Sequence, residues 1–474
     1  MRVAASSAAN SSRAGRRWAE GVMAAGTGAR KTPDSTGSAA RECGAPGRPA
    51  LRKLGGGAHR ADGCGSYHGR MSKRHDVVIV GGGLVGASLA IALDRLGIDV
   101  GLVEAAPPGA LPPVFDQRNL SFAAATVNAL GALGVMQRLR APTGPIRRIH
   151  VSRAGDFGRV RLEAADYGRE AFGQVVVARD FGEALEASLA ATTRLTRYRP
   201  AQFVALEADT EDGVRRLRIV RDGSEQVLHT RLLVGADGSA SAVREALGIA
   251  ATRHDFQQTL FVARVRGSRQ PDGTAYERFR DDGPTALLPR GDRHYGAIHA
   301  VASEDADAVA ALDEGAWLQR LQDALGWRVG RLLGSGERSA YPIVQVLAER
   351  LTAARAVLLG NAAQTLHPLG AQGFNLGLRD ALTLAELIER DGTDPGAPAL
   401  LQRYAQRREQ DRQRTVTFSG GLARLTANPT PLLRPLRSLG LLAAAQAAPL
   451  QSFLVGGAMG FRGDVPQLCR ETRA

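Results

Sequence analysis

The chain has 474 residues, 44% of them hydrophobic, which is ample for a core and for two domains. Its three cysteines, Cys43, Cys64 and Cys469, form no Cys-x-x-Cys pair, so neither a disulfide framework nor a metal ligand set is expected. The net charge of +14 invites a nucleic-acid reading, but residues 1–70 hold twelve Lys/Arg against four Asp/Glu and carry +8 of it; the remaining +6 is ordinary, and no nucleic-acid partner is expected.

Residues 1–71 form a basic Ala/Gly/Ser/Arg-rich extension with no hydrophobic period. Such a segment cannot bury enough surface to offset chain entropy and is expected to be disordered. Two origins stay open. One is an over-extended start, with Met71-Ser72-Lys73-Arg74 as the natural beginning; the other is an acid-poor organelle transit segment. The apolar stretch of a secretory signal is missing from it.

The first element is a short apolar strand, Asp76–Val80. Gly81-Gly82-Gly83-Leu84-Val85-Gly86 follows, then a helical run, a second strand at Asp99–Val103, and Glu104. This is G-x-G-x-x-G in a strand–helix–strand unit with an acid about 20 residues on, a dinucleotide-binding pattern. Gly81 permits the tight turn, Gly83 lets a pyrophosphate approach, Gly86 lets helix pack on strand, and Glu104 can accept from a ribose diol. NAD and FAD both fit at this point. A second apolar strand enters an Asp-Gly turn at Leu232–Ser239, with Asp237 and Gly238 at its tip and Arg244 after it.

Strands are expected at Thr259–Val265 and Ala297–Val301, with turns at Asp272-Gly273 and Arg290-Gly291-Asp292. Residues 307–333 read as helical. Gly360–Asp380 (GNAAQTLHPLGAQGFNLGLRD) packs four glycines and a His-Pro pair between an apolar strand at Ala356–Leu359 and an apolar helix at Ala381–Ile388. Such a strand–turn–helix gathers backbone N–H groups at one point and suits a polar or anionic ligand. From Leu400 the tail reads as helical. Its 24 uncharged residues between Arg437 and Arg462 admit three readings: an interfacial or channel-lining helix, plain core packing, or a membrane span.

Together, GGGLVG, GADGSASAVR and GNAAQTLHPLGAQGFNLGLRD resemble the FAD-dependent aromatic hydroxylases, the single-component flavin monooxygenases. The likeness is strongest to the ubiquinone-biosynthesis branch acting on polyprenylated methoxyphenols. Phe115-Asp116-Gln117-Arg118, Gly173-Gln174-Val175-Val176, Gly283-Pro284 and Leu287-Leu288-Pro289 add to it, and the likeness runs from about Met71 to Phe461. Two positions depart. Residues 369–373 read Leu-Gly-Ala-Gln-Gly where the branch has Ala-Gly-Gln-Gly. His299 stands where many members carry Trp, which bears on the substrate wall.

The resemblance implies an α/β fold with a Rossmann-like FAD-binding domain (72–145, 172–254 and 343–395) interleaved with a β-sheet substrate domain (146–171 and 255–342), and a C-terminal helical region at 396–474. It implies that NAD(P)H reduces the flavin and that O2, activated there, delivers a hydroxyl to an electron-rich ring. The single G-x-G-x-x-G leaves NAD(P)H to bind transiently. By motif matching, Gly81, Gly83, Gly86 and Glu104 hold the ADP half, Arg118 pairs with pyrophosphate, Gln174 lies near the flavin, and Asp237 with Gly238 lies near the pyrophosphate. Asn361 reaches the ribityl chain or pyrophosphate, while the amides around Gly370, Gln372, Gly373 and Asn375 face the isoalloxazine. His367, with Pro368, is the catalytic candidate. Beside a flavin it can steer substrate or polarise a phenol, and the alternative is a hydrogen-bonded turn histidine. The implied partners are a polyprenyl phenol, a membrane surface and a ubiquinone-biosynthesis complex, and the implied location is cytoplasmic, on the inner face of the cytoplasmic membrane. The alternatives are hydroxylation of another ubiquinone intermediate or a soluble phenol, or a flavin-binding scaffold role.

Overall fold

The computed structural model describes residues 73–207, 213–426, 438–440 and 446–470. The basic extension and residues 441–445 of the uncharged stretch lie outside them. The architecture is α/β. Lys73–Val80, Val100–Val103, Leu195–Tyr198, Ser224–Gly235 and Ala356–Leu358 pair in parallel in an eight-stranded sheet. Val77–Val80, Val100–Val103, Leu232–Val234 and Ala356–Leu358 are apolar and buried, as strand segments covered on both faces must be. Leu84–Arg95 and Gln372–Asp391 pack against each other on this sheet.

A nine-stranded sheet takes Arg148–Arg153 and Arg159–Glu163 at one end, then Thr274–Phe279, Thr285–Pro289, Tyr295–Ala302, Ala251–Gly267, Ser339–Ala348 and the two-residue strand Gln364–Thr365. Segments distant in sequence therefore share one sheet, which is what interleaving requires. Trp317, Leu321 and Leu325 of the helix Glu314–Leu325 cover one of its faces, packing on Phe261, Tyr295 and Ala297. A small sheet of Asn119–Ala123, Gly144–Pro145 and Gly173–Val177 stands apart from both.

The expected strands at 259–265 and 297–301 lie inside Ala251–Gly267 and Tyr295–Ala302. Residues 307–333 are not one helix. Asp313 starts a fresh helix by accepting from the Ala316 N–H at 2.7 Å. Gly326 ends it at φ +72°, and Leu332–Ser335 joins the Ala251–Gly267 strand. The helix expected at Ala381 begins nine residues earlier, at Gln372. Of the uncharged tail, Ala448–Ala458 is helical, and Val455 and Met459 are buried with Ile146, Leu162, Phe172 and Ala275. Val455 and Met459 thus serve core packing, while Leu439 of the same stretch is 56% exposed. No described helix is long and apolar enough to cross a membrane.

Candidate active site

Four parallel strands end in one row. Val103, Val80, Gly235 and Leu358 are cross-strand neighbours. The residues that follow them are Glu104, Gly81, Ala236-Asp237 and Leu359-Gly360, so all three glycine motifs leave the sheet at its carboxyl edge, where open α/β sheets bind ligands. The ladder carries past the last paired residues: Gly81 N–H donates to Val103 O at 2.9 Å, Ala236 N–H to Val80 O at 2.8 Å, and Leu359 N–H to Gly235 O at 2.9 Å.

The glycines divide by what surrounds them. A Cβ on Gly81, whose φ is +106°, would stand 2.4 Å from Ala236 O, and one on Gly86 would stand 2.0 Å from Gly81 O. These two are needed for main-chain contact inside the protein. A Cβ on Gly83 would meet only Val114 Cγ1, at 3.8 Å, and those on Gly238 and Gly373 would meet nothing within 4 Å. Side-chain space is free at all three, which border open space, although Gly238 also needs glycine for its φ of +89°. Gly360 and Gly377 make room for Val85, placing the third motif directly on the first helix.

Glu104 accepts from Gly82 N–H and Ala106 N–H, both at 2.7 Å, which orients its carboxylate over the first turn. Asp237 accepts from Ser241 Oγ at 2.5 Å and Val243 N–H at 3.1 Å, fixing the start of the helix Ala242–Ala246. Arg244, buried, donates to Ser239 O at 3.0 Å and to Ala362 O at 3.1 Å, tying the second motif to the third. Its motif was visible in the sequence; its role was not.

Around the third motif, Gly370 (φ 71°) and Ala371 (φ 50°) turn the chain into the helix at Gln372. Gln372 donates to Gly370 O at 2.9 Å. The Asn375 side chain is buried and fully used: it accepts from Ala123 N–H and Thr126 Oγ1 and donates to Ser121 O and Ala371 O. Only its main chain is left for a ligand. The Asn361 side chain is exposed.

His367 is 1% exposed. Its Nδ1 accepts from Leu369 N–H at 3.2 Å, so the proton of the neutral ring sits on Nε2, which is buried with no hydrogen-bond partner among the described residues. Burial pushes its pKa down to about 4. It is a hydrogen-bonded turn histidine on one nitrogen and an unused donor on the other. Pro368 beside it is exposed. Phe256 stacks edge-on against the ring at 4.6 Å.

Two other candidates are engaged by neighbouring side chains. The Arg118 guanidinium is paired with Asp116 at 2.7–3.0 Å and lies 4.3 Å over the Tyr341 ring, while the Tyr341 hydroxyl donates to Asp116. Burial raises the Asp116 carboxyl, and the bonds from Arg118 and Tyr341 outweigh it, so its net shift is downward. Beside this cluster opens a cavity of about 1030 Å3 lined by Arg118, Arg140, Arg179, Arg199 and Arg264 together with Asp116, Glu183, Glu186 and Glu337. Gln174 accepts from Thr143 Oγ1 at 2.9 Å within the small sheet. His299 packs edge-on against Trp317 and receives Arg320 Nε at 3.0 Å, on the helix-covered face. The opposite face meets the dinucleotide-binding part, with Gly296 making room for Asn119. His299 is therefore no part of a wall facing the glycine motifs.

A family described as "FAD binding domain" matches residues 74–419. "Ubiquinone hydroxylase UbiL" of Rhodospirillum rubrum is 33% identical over 416 residues, covering 87% of this chain and 95% of that protein. The "3-demethoxyubiquinol 3-hydroxylase" of Escherichia coli is 29% identical, covering 81% of this chain and 98% of its own. Among solved structures, p-nitrophenol 4-monooxygenase PnpA from Pseudomonas putida superposes with a TM-score of 0.68 at 16% identity, over 83% of this chain and 99% of that one, a likeness of fold.

Proposed function

The chain belongs to the FAD binding domain family and is an FAD-dependent monooxygenase, and from that premise we propose that it hydroxylates a 2-polyprenyl-6-methoxyphenol para to its hydroxyl in ubiquinone biosynthesis, with NAD(P)H and O2 as co-substrates. The observation that carries the reading is the single row of strand ends at which all three glycine motifs emerge, with Gly83, Gly238 and Gly373 bordering open space. The names of the Rhodospirillum and Escherichia relatives support the quinone pathway.

Bound FAD, once reduced, supplies the O2 activation that the side chains of this protein cannot. The chain's part is to hold and shield. Gly81, Gly83 and Gly86 shape the first turn for the ADP half, and Glu104, already oriented by two amides, accepts from the ribose. Asp237 and Gly238 border the pyrophosphate, with Arg118 as its cation once it exchanges Asp116 for phosphate. Asn361 reaches the ribityl chain, Gln174 stands near the ring system, and the main chain of Gly370, Gln372, Gly373 and Asn375 faces it. The Nε2–H of His367 donates to the phenol oxygen, with Pro368 shaping the approach. The arginine-lined cavity receives the phosphates of NAD(P)H in passing.

The prenyl chain enters past Phe418, which is 46% exposed and whose Cε1 lies 3.5 Å from the Cβ position of Gly370. An apolar path open there suits an enzyme that works at a membrane surface, on the cytoplasmic inner face, where a ubiquinone-biosynthesis complex would hand on intermediates. The test offers the purified protein 2-polyprenyl-6-methoxyphenol and demethoxyubiquinol separately, with NADH or NADPH under O2, and identifies products by mass spectrometry. A 1,4-benzoquinol from the methoxyphenol is expected. Hydroxylation of demethoxyubiquinol alone would move the ring position to that of the Escherichia relative, and NAD(P)H oxidation indifferent to any phenol would leave a scaffold.

A further inference from the structure

Thr274–Phe279 crosses the nine-stranded sheet with alternating faces. Tyr276 points to the face covered by the helix Glu314–Leu325. Ala275, Glu277 and Phe279 point the other way. Phe279 packs on Leu369 of the His-Pro loop, with Phe256 and Val151 against the pair. Ala275 packs with Val455 and Met459 of the C-terminal segment. Glu277 lies between these two contacts. Its cross-strand partners are Val151 and Ala286, and the row continues through Ile298 to Val262. It is the lone acid in an apolar row that faces the flavin-loop side.

A carboxylate in such a place ordinarily has a partner. Glu277 has no hydrogen-bond or ion-pair partner among the described residues, and it keeps some accessible surface. Of the titratable groups on the elements packed here, His367 is neutral and Arg153 is ion-paired with Asp156 and Asp281, while Arg278 shares the opposite face with Tyr276.

We propose that the Glu277 carboxylate binds the phenolic hydroxyl of the substrate and takes its proton during hydroxylation. This rests on the aromatic-hydroxylase reading above. The phenol O–H bond breaks, its proton moves to Glu277, and the electron pair left on oxygen raises density at the para carbon. That carbon forms the new C–O bond with one oxygen atom of O2 as the O–O bond breaks, the other oxygen leaving as water with the two electrons that NAD(P)H supplies. It then loses its hydrogen to water as a proton, and Glu277 returns the first proton to oxygen as the ring regains aromaticity. Burial raises the Glu277 pKa to about 7, so a base of matched strength is available near neutral pH.

The test compares wild type with Glu277→Gln and Glu277→Asp as FAD-loaded full chains. Equilibrium dialysis measures binding of a 2-prenyl-6-methoxyphenol and of its O-methyl ether from pH 5.5 to 9. Wild-type affinity for the phenol should rise as pH passes through about 7, the ether should show no such step, and Glu277→Gln should abolish it. Coupled hydroxylation should fall by about 100-fold in Glu277→Gln at unchanged FAD affinity, with partial recovery in Glu277→Asp. Persistence of the pH step and of coupling in Glu277→Gln would overturn the assignment. If wild type hydroxylates no phenol, the proposed function fails, while the dialysis of phenol against ether still decides what Glu277 binds.

Discussion

The Nη1 of Arg244 donates to the carbonyl oxygen of Ala362 at 3.1 Å, joining two glycine motifs 118 residues apart. Its Nη2 holds Ser239 O at 3.0 Å, so one buried side chain fixes the spacing between the Asp-Gly turn and the Gly-Asn turn. Arg244→Ala leaves two carbonyls unpaired and is expected to cost about 2–3 kcal/mol. Thermal melts of flavin-free protein should show the loss, and FAD titration should show weaker binding. An unchanged melting temperature would mean that other contacts hold the two motifs together.

Gly83 and Gly86 stand three residues apart in one turn but answer to different constraints. A Cβ on Gly86 collides with Gly81 O at 2.0 Å, whereas one on Gly83 has 3.8 Å of clearance. Gly83→Leu should therefore fold and melt near wild type yet purify colourless. Gly86→Leu should fail at folding itself. Full flavin occupancy in Gly83→Leu would remove the pyrophosphate from this turn.

The strand-end motifs were legible in the sequence because turn glycines at fixed spacing after apolar runs leave few alternatives. Where they converge was readable only as an expectation, since the row Val103–Val80–Gly235–Leu358 depends on strand order. Glu277 and Arg244 carried too little local signal. Glu277 acts through the parity of its strand and through the distant loop that Phe279 touches, and neither is encoded nearby. The helical reading of 307–333 covers two helices, Ala306–Ala310 and Glu314–Leu325, and stops short of its end, because Asp313 and Gly326 punctuate it and because a strand partner for Leu332–Ser335, Ala251–Gly267, lies far upstream. Whether His299 belongs to the substrate wall was not legible, because its sequence position does not say which face of the sheet it occupies.

Burial holds His299 and His367 neutral, each with a pKa of about 4 against about 6.5 when unfolded. The unfolded chain therefore binds protons first as pH falls. The associated stability is present above about pH 6.5 and is lost as pH drops toward 4. Protonating His299 would also break its acceptance from Arg320 Nε. Melting temperature should decline across this window, and His299→Gln should flatten the decline. An equal slope in that variant would assign the acid sensitivity to other groups.

His367 supplies an Nε2–H with no partner among the described residues and a ring that stays neutral from pH 6 upward. His367→Ala should lower coupled hydroxylation more than FAD affinity, with more O2 diverted to peroxide. The pH–rate profile of wild type between 6 and 9 should contain no step belonging to His367. A variant that loses FAD and keeps its coupling ratio would make His367 a loop-shaping residue only.

Chain-length preference is best tested at Phe418. Deleting residues 438–461 would also remove Val455 and Met459 from their buried cluster, so a loss of activity would report unfolding. Phe418 is 46% exposed, projects from the helix Pro398–Thr426 and lies against Gly370 at the start of the flavin loop. An exposed aromatic there has little to stabilise in the free protein and an apolar chain to meet on binding. Phe418→Ser should leave the melting temperature and FAD occupancy unchanged. It should raise KM for a long-chain prenyl phenol by about tenfold, the equivalent of ~1.4 kcal/mol of apolar contact, and leave KM for a short-chain analogue near wild type. Equal effects on both substrates would place the prenyl path elsewhere on the molecule.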